Sequence, residues 1–386
     1  MTQVSTIDPD EQLAWLQLAR SRGIGPTHAL RLFNRFGSAV EAVAAVPRLI
    51  STDRWPNVAL CPLEQAARER DAIERAGAHL LVYGDPGLPE PLRQIADPPL
   101  ALIVRGQPAL MTGDGVAIVG ARDASANGRM LAGRIACDLA KAGMTVVSGL
   151  ARGIDTFAHK GALEGGGPTI AFVGGGADVI YPPENGELTG RIEENGCVVS
   201  ERPLGAIPRA RDFPRRNRLI SGLVRAILVV EAAVRSGSLI TARLAAEQGR
   251  DVMAVPGSPL DPRHGGTNHL LKQGATLVEN AADILSLLRP LGGAPAMPGK
   301  ARRPAQAAPA GRSRPAVPAP PASPPRTAPA LEERLLQLIA MEPVAVDELV
   351  RQCQASVAHV QEVLLELELD GRIDRHSGNR VSRRAA

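Results

Sequence analysis

The chain has 386 residues, 44% of them hydrophobic and 2% aromatic, and its 44 Lys and Arg against 40 Asp and Glu give a formal net charge of +4. That length suits two or three domains rather than one. The lack of any run of 18 uninterrupted apolar residues argues against a membrane-spanning helix, and four scattered cysteines without CxxC or zinc-type spacing argue for a reducing cytoplasm and no structural metal.

Residues 1–75 are the first predicted domain. The opening MTQVSTIDPDEQLAWLQLARS lacks a basic segment followed by an apolar one, so no secretory signal is expected. EQLAWLQLAR and HALRLFNRF carry apolar residues at helical spacing. Between them Gly23-Ile24-Gly25-Pro26 makes a tight turn resembling a helix-hairpin-helix, as in SAM-like helical domains. Such a turn either aims the second helix's amides at a phosphate or serves only as a helical hairpin, and the motif leaves both open.

Residues 76–290 are the second domain. Leu80-Leu81-Val82-Tyr83 and Leu100–Val104 read as strands of an extension preceding the main sheet. Further strands are predicted at Val116–Val119, Thr145–Ser148, Thr169–Val173, Cys197–Ser200, Ala226–Val230, Val252–Val255 and Thr276–Val278. They are short, β-branched and apolar on both faces, as buried parallel strands are. Helices at Asn127–Ala142, Asp155–Glu164 and Ser238–Gln248 separate some of them, which gives a doubly wound, Rossmann-like parallel α/β sheet. Several of these strands end in glycine-rich or polar turns: Gly120–Ser125, Ser148–Asp155, Gly174–Asp178 and Ser236-Gly237-Ser238. Glycine admits a ligand close to the backbone, and a following helix start offers free N–H groups, so the set favours phosphate. No loop reads GxGxxG and none reads GxxxxGK[ST], so neither a dinucleotide fingerprint nor a P-loop is present.

Residues 291–330 contain eleven prolines and many alanines, and are predicted to be a linker. Residues 331–386 form a last small domain. LEERLLQLIA, VDELVRQC and a third helix capped by Ser356 precede two short strands around Ser377-Gly378-Asn379, a winged-helix pattern.

The linker holds six basic residues and no acid, and the rest of the chain then has 38 basic and 40 acidic residues. Any anion site must therefore be local. Segment 202–225 offers one, with seven arginines and a single acid, Asp212. Charge alone leaves a polyanion footprint and a solvated arginine-rich loop even.

The motifs SGLARGIDTFAHKGAL, GGGADVIYPPEN, SERPLG, FPRRNRLISGL, VVEAAVRSGSLITA, GRDVMAVPGS and GGTNHLLKQGA stand in order between residues 148 and 275, after LPEPLRQIADPP at 88–99. In this sequence and spacing they resemble the DprA/Smf DNA-processing family over roughly residues 80–290. The resemblance implies a protein of natural transformation and recombination that binds incoming single-stranded DNA, shields it and helps load the RecA recombinase. It implies dimerisation through the Rossmann-like domain, and neither a cofactor nor an enzymatic reaction. By position it implies that Arg122 contacts phosphate, with Gly149, Arg152 and Gly153 shaping the adjacent loop. Phe213, Arg215, Arg216, Asn217 and Arg218 would form a basic rim, and Ser236, Gly237 and Ser238 an anion nest at a helix start. Arg122 could instead pair with Asp123, and Asn217 could cap a helix. Asp155 and His159, four apart, are expected to form a packed, hydrogen-bonded pair.

Two other readings remain. The core is also similar to the lysine-decarboxylase-like nucleoside-monophosphate phosphoribohydrolases, but the PGGxGTxxE signature is absent from PGSPLDPRHGGTN. A duplex-reading winged helix would need a basic third helix, and VAHVQEVLLELELDG has no Lys or Arg.

Overall fold

The structure is a computed structural model that describes residues 7–51, 57–112, 115–288, 328–340, 343–353, 355–376 and 379–383. The predicted linker and the Ser377-Gly378 turn lie outside these residues, apart from the linker's last few positions. The chain divides into two compact units, residues 1–47 with 57–293 and residues 48–56 with 294–386.

The first unit starts with four helices, α1 (Pro9–Arg20), α2 (Pro26–Phe36), α3 (Ala39–Ser51) and α4 (Leu63–Arg75). Asp8 caps α1 by accepting from the Asp10 amide, and Pro9 occupies its first position, where a missing N–H costs nothing. Gly37 closes α2 in the left-handed conformation. Next come β1 (His79–Val82), the single turn α5 (Glu90–Arg93) and β2 (Ala101–Gly106). Trp15 of α1 is fully buried, its ring 5.2 Å from Phe33 of α2 and 5.1 Å from Tyr83 just beyond β1. This aromatic cluster seats the helices on the start of the sheet.

The Rossmann-like part runs β3 (Gly115–Val119), α6 (Ala126–Lys141), β4 (Thr145–Ser148), α7 (Ile154–Glu164), β5 (Thr169–Phe172), α8 (Gly186–Asn195), β6 (Gly196–Ser200), α9 (Asp212–Leu223), β7 (Ala226–Val229), α10 (Ser238–Glu247), β8 (Asp251–Ala254), α11 (Gly265–Lys272), β9 (Thr276–Leu277) and α12 (Ala281–Leu288). Among the described residues the strands form one nine-stranded sheet in the order β1-β2-β6-β5-β4-β3-β7-β8-β9. Strands β3 to β9 are mutually parallel, whereas β2 pairs antiparallel with β6 and β1 antiparallel with β2. The expected extension is therefore an edge of the same sheet.

Alternate residues feed two cores. Ala117, Val119, Val147, Phe172 and Val229 pack with Leu219, Ile220 and Leu223 of α9 on one face. Val116, Ile118, Val146 and Leu228 pack with Ile135 and Leu139 of α6 and Ala158 of α7 on the other. Helices on both faces are why the strands carry no polar face. Strand order reverses at β3, which lies between β4 and β7, so the crevice of this fold opens at the carboxyl ends of these strands.

The second unit contains α13 (Ala328–Leu338), β10 (Val344–Ala345), α14 (Val346–Cys353), α15 (Val357–Leu369), β11 (Ile373–His376) and β12 (Arg380–Arg383). Ser356 caps α15 by accepting from the His359 amide, and β10, β12 and β11 form a small antiparallel sheet. Leu335, Leu349, Val363, Leu364 and Val381 fill its core. Three helices with a wing give the winged helix.

Candidate nucleic-acid interface

Arg122 leaves the end of β3 on a fixed backbone. The Ala121 amide donates to the Glu231 carbonyl at 2.7 Å, and the Ala121 carbonyl accepts from the Ile154 amide at 3.2 Å. Its guanidinium lies 5.1 Å from the centre of the Phe213 ring and forms no ion pair with Asp123. Stacking of this kind holds a cation without neutralising it.

The loop after β4 lies against that of β3. Leu150 and Gly153 both take positive φ, 56° and 75°. A side chain at Gly153 would run into the carbonyl oxygens of Ala121 and Arg122, so only glycine allows the two loops this approach. At Gly149 a side chain would meet the Arg216 guanidinium and the Asp155 carboxylate. Buried Asp155 accepts from the Gly149 amide at 3.2 Å and the Ala151 amide at 3.4 Å, which sets the loop's shape. Burial pushes the Asp155 carboxyl up to about 6, against the opposing pull of Arg216 and these amides.

His159 does not pair with Asp155 as expected. Its Nδ1 lies 2.7 Å from Thr169 Oγ1. The Thr169 hydroxyl gives its only proton to the Val146 carbonyl, so Nδ1 must be the donor and Nε2 is bare and buried. Burial, then the nearby Arg216 charge, pushes the imidazole down to about 3.

Two of the rim residues are not at a rim. Arg216 is 6% exposed and Arg218 8%. Arg216 donates to the Phe172 carbonyl under the loops, and burial pulls its guanidinium down to about 10 despite Asp155. Arg218 binds Asp97 at 2.9 Å and Glu201 at 2.6 Å. The physical reason is the position of α9, whose inner face packs on the sheet and on α5 and takes these arginines with it. Arg215 is exposed. Asn217 lies inside α9, which begins at Asp212, so it caps nothing. Arg152 is exposed and paired with Glu184.

Two cavities meet at Arg122. The smaller, of about 140 Å3, is bounded by Arg122, Gly149, Arg152, Gly174, Tyr181 and Phe213. Phe213 and Tyr181 stack there at 5.8 Å. The larger, of about 530 Å3, joins Arg122 and Phe213 to Arg216, Asn217 and Ser236-Gly237-Ser238. The start of α10 is closed on its own turn: the Ser238 amide donates to Ser236 Oγ at 3.4 Å, and the Leu239 and Ile240 amides donate to the Ser236 and Gly237 carbonyls; the Ser236 and Ser238 hydroxyls lie 2.7 Å apart. Arg215 and Arg218 border neither cavity; they line an adjoining cleft.

The sequence reading missed three participants. Tyr181 supplies a second ring to the smaller cavity, and Arg263 lines the larger one while paired with Asp261 at 2.6 Å. Glu231 is fully buried just beyond β7, with one carboxylate oxygen 2.8 Å from the Ser125 amide and the other 3.7 Å from His264 Nε2. It ties the Arg122 loop to the neighbouring strand. An acid directly after the apolar run ILVV was the available signal for it.

The model of the family described as DNA recombination-mediator protein A matches residues 79–289, more than half of the chain. This chain belongs to the DprA family. The DprA-like N-terminal HHH domain matches residues 9–72 and the DprA winged helix domain residues 318–379. Protein Smf of Escherichia coli is 45% identical over 219 residues, which cover 56% of this chain and 58% of that protein. Protein Smf of Synechocystis is 32% identical over 404 aligned residues, covering 97% of this chain and 99% of that one. The DNA processing protein A of Helicobacter pylori, solved for its single-stranded DNA binding mode, superposes with a TM-score of 0.50 at 30% identity, over 55% of this chain and 95% of that one.

Proposed function

We propose that this DprA-family protein binds single-stranded DNA in the crevice at the strand ends. A phosphate sits between Arg122 and the Ser236 and Ser238 hydroxyls at the N-terminus of α10, and a base packs beside Phe213 and Tyr181 in the smaller cavity. The observation that carries this reading is Arg122 itself: a cation held on a rigid strand end by an aromatic ring, with no carboxylate partner, bordering the same cavity as the positive end of the α10 dipole. Gly149, Gly153, Arg216 and Asn217 shape this seat from beneath, and Arg152 borders it.

The reading extends to the work of the family. The protein covers single strands in the cytoplasm, acts as a homodimer, and passes the strand to the RecA recombinase without catalysing a reaction. No helix among the described residues is long and apolar enough to cross a membrane. The phosphoribohydrolase alternative finds little support: Glu231 borders neither cavity, and buried Asp155, which borders the larger one, is taken up by the Gly149 and Ala151 amides. Incubation with nucleoside monophosphates and chromatography of the products would expose such an activity.

A gel-shift comparison tests the main reading. Single-stranded DNA is expected to bind more tightly than duplex, with little sequence preference, and log affinity to fall with log salt by about 0.7 per phosphate engaged. Tighter duplex binding at moderate salt, or a slope near zero, would overturn it.

A further inference from the structure

The GIGP turn of the N-terminal hairpin faces the Rossmann-like part across a cleft of about 290 Å3. Gly25 and Pro26, at the N-terminus of α2, form one wall; Gly174, Arg202 and Arg215 stand opposite. The hairpin is held there by Arg20, which grips Glu69 at 2.8 Å and donates to the Glu201 carbonyl at 3.0 Å.

Three observations give the cleft an anionic occupant. First, α2 starts without a side-chain cap and without an acid in its first turn, so the positive end of its dipole meets the cleft at Gly25 and Pro26 with no carboxylate of its own turn opposing it. Second, two arginines more than nine-tenths buried in its wall keep unused donors: Arg216 Nε and Arg218 Nη1 have no hydrogen-bond partner. Third, the charge does not balance. Of the cleft's carboxylates, Glu201 is taken by Arg218, and Asp212 accepts from the Arg209 amide at 2.9 Å. Arg202 and Arg215 have no ion-pair partner among the described residues, and Arg202 Nε is also buried without an acceptor.

The cleft is continuous with the crevice, because Val173 and Gly174 line both it and the smaller cavity beside Arg122. We propose that this cleft is a second seat for the phosphodiester backbone, so that one DNA strand held at Arg122 passes over Gly174 and reaches the start of α2. The inference rests on the single-strand reading given above. It assigns the helical hairpin to the binding surface and makes affinity depend on strand length.

Gly25 allows a clean test. Its φ of −92° and ψ of 175° suit any residue, and a Cβ there meets no atom within 4 Å. Gly25→Asp caps α2 and so supports the fold, but places a carboxylate where the phosphate would sit. Gly25→Asn caps it without charge. Both variants and the wild type are titrated with oligonucleotides of about four and about sixteen nucleotides, which span the usual range of single-strand site sizes.

Gly25→Asp is expected to bind the long strand about tenfold more weakly, with a salt slope shallower by about 0.7, the share of one phosphate. Its affinity for the short strand should stay within about twofold, and Gly25→Asn, which fills the helix start without adding charge, should lose less on the long strand than Gly25→Asp. Equal long-strand binding by Gly25→Asp and wild type would overturn the proposal, as would an equal loss in Gly25→Asn. The first of those results is also what a seat for free phosphate, off the strand's path, would give. A wild-type protein that retains neither strand at low salt would mean that the single-strand reading itself has failed.

Discussion

Arg122 and Arg215 are both exposed arginines of the candidate interface, yet their backbones differ. Arg122 follows a buried strand and Ala121, whose amide donates to the Glu231 carbonyl and whose carbonyl accepts from the Ile154 amide, and its guanidinium rests on Phe213. Arg215 projects from α9 with no such support, so it loses more rotamer freedom in gripping a phosphate. Arg122→Ala should therefore weaken single-strand binding more than Arg215→Ala, by more than about 1 kcal/mol, the scale of a charged hydrogen bond. Filter binding on folded variants measures it, and wild-type binding by folded Arg122→Ala would move the DNA elsewhere.

Arg216 and Arg218 call for a different expectation. Arg218→Ala leaves Glu201 and Asp97 without their cation, and Arg216→Ala opens a hole under the Gly149 loop. Breaking a buried pair costs about 3–5 kcal/mol. Asp97 is half exposed, which trims that figure, so a loss of roughly 2 kcal/mol in chemical denaturation is expected for Arg218→Ala. A variant as stable as the wild type would return Arg218 to the surface role read from sequence. The segment FPRRNR marked these arginines as a cluster, but charge spacing does not reveal which of them a helix turns inward. That depended on α5 covering α9, which no local pattern carries.

At the scale of elements, α7 and the loop before it carry two buried groups that titrate in opposite senses. The His159 imidazole is pushed below its ordinary 6.5 to about 3, so its contribution is present above pH 6.5 and is lost as pH falls below that. The Asp155 carboxyl is raised from 3.8 to about 6, so the folded state takes up its proton first and gains stability as pH falls from 6 toward 3.8. Between these limits the two effects offset each other. His159→Gln should unmask Asp155, and stability should then rise as pH drops through about 6 to 4. Asp155→Asn should unmask His159 and reverse the slope. Each limb approaches 1.4 kcal/mol per pH unit. Urea midpoints across this range decide it, and parallel profiles in both variants would refute the pairing of effects.

Legibility differs by element too. The parallel strands were readable because a strand covered on both faces is apolar throughout, and the ends of β4 fell where the sequence placed them, at Thr145 and Ser148. Partners were not readable. Nothing within residues 101–106 says that β2 lies against β6 rather than preceding the sheet, since pairing across that distance is set by packing on α8 and α5. The Asp155–His159 spacing predicted a shared helical face correctly, but Thr169 on the neighbouring strand competed for the imidazole and won.

For the whole molecule, the division into two units gives a prediction about truncation. Both candidate cavities belong to the first unit, and Leu288 ends its last described helix. A chain ending at Leu288 should fold and bind single strands with only a modest loss, from removal of the six basic residues between 291 and 330. A folded truncation without affinity would place the site outside this unit. The winged helix has an acidic third helix, with Glu362 and Glu366 exposed, which suits a protein partner better than a DNA groove.

Trp15 lies with no exposed surface in the seam where the helical hairpin meets the first strand, and its indole N–H has no acceptor. The chain has one other tryptophan, Trp55. Replacing Trp55 by Phe leaves a single indole whose dry, apolar surroundings fix a short-wavelength emission. Hydration of that seam would redden the emission, so this natural fluorophore reports in real time whether the hairpin stays seated on the sheet or lifts away when a strand enters.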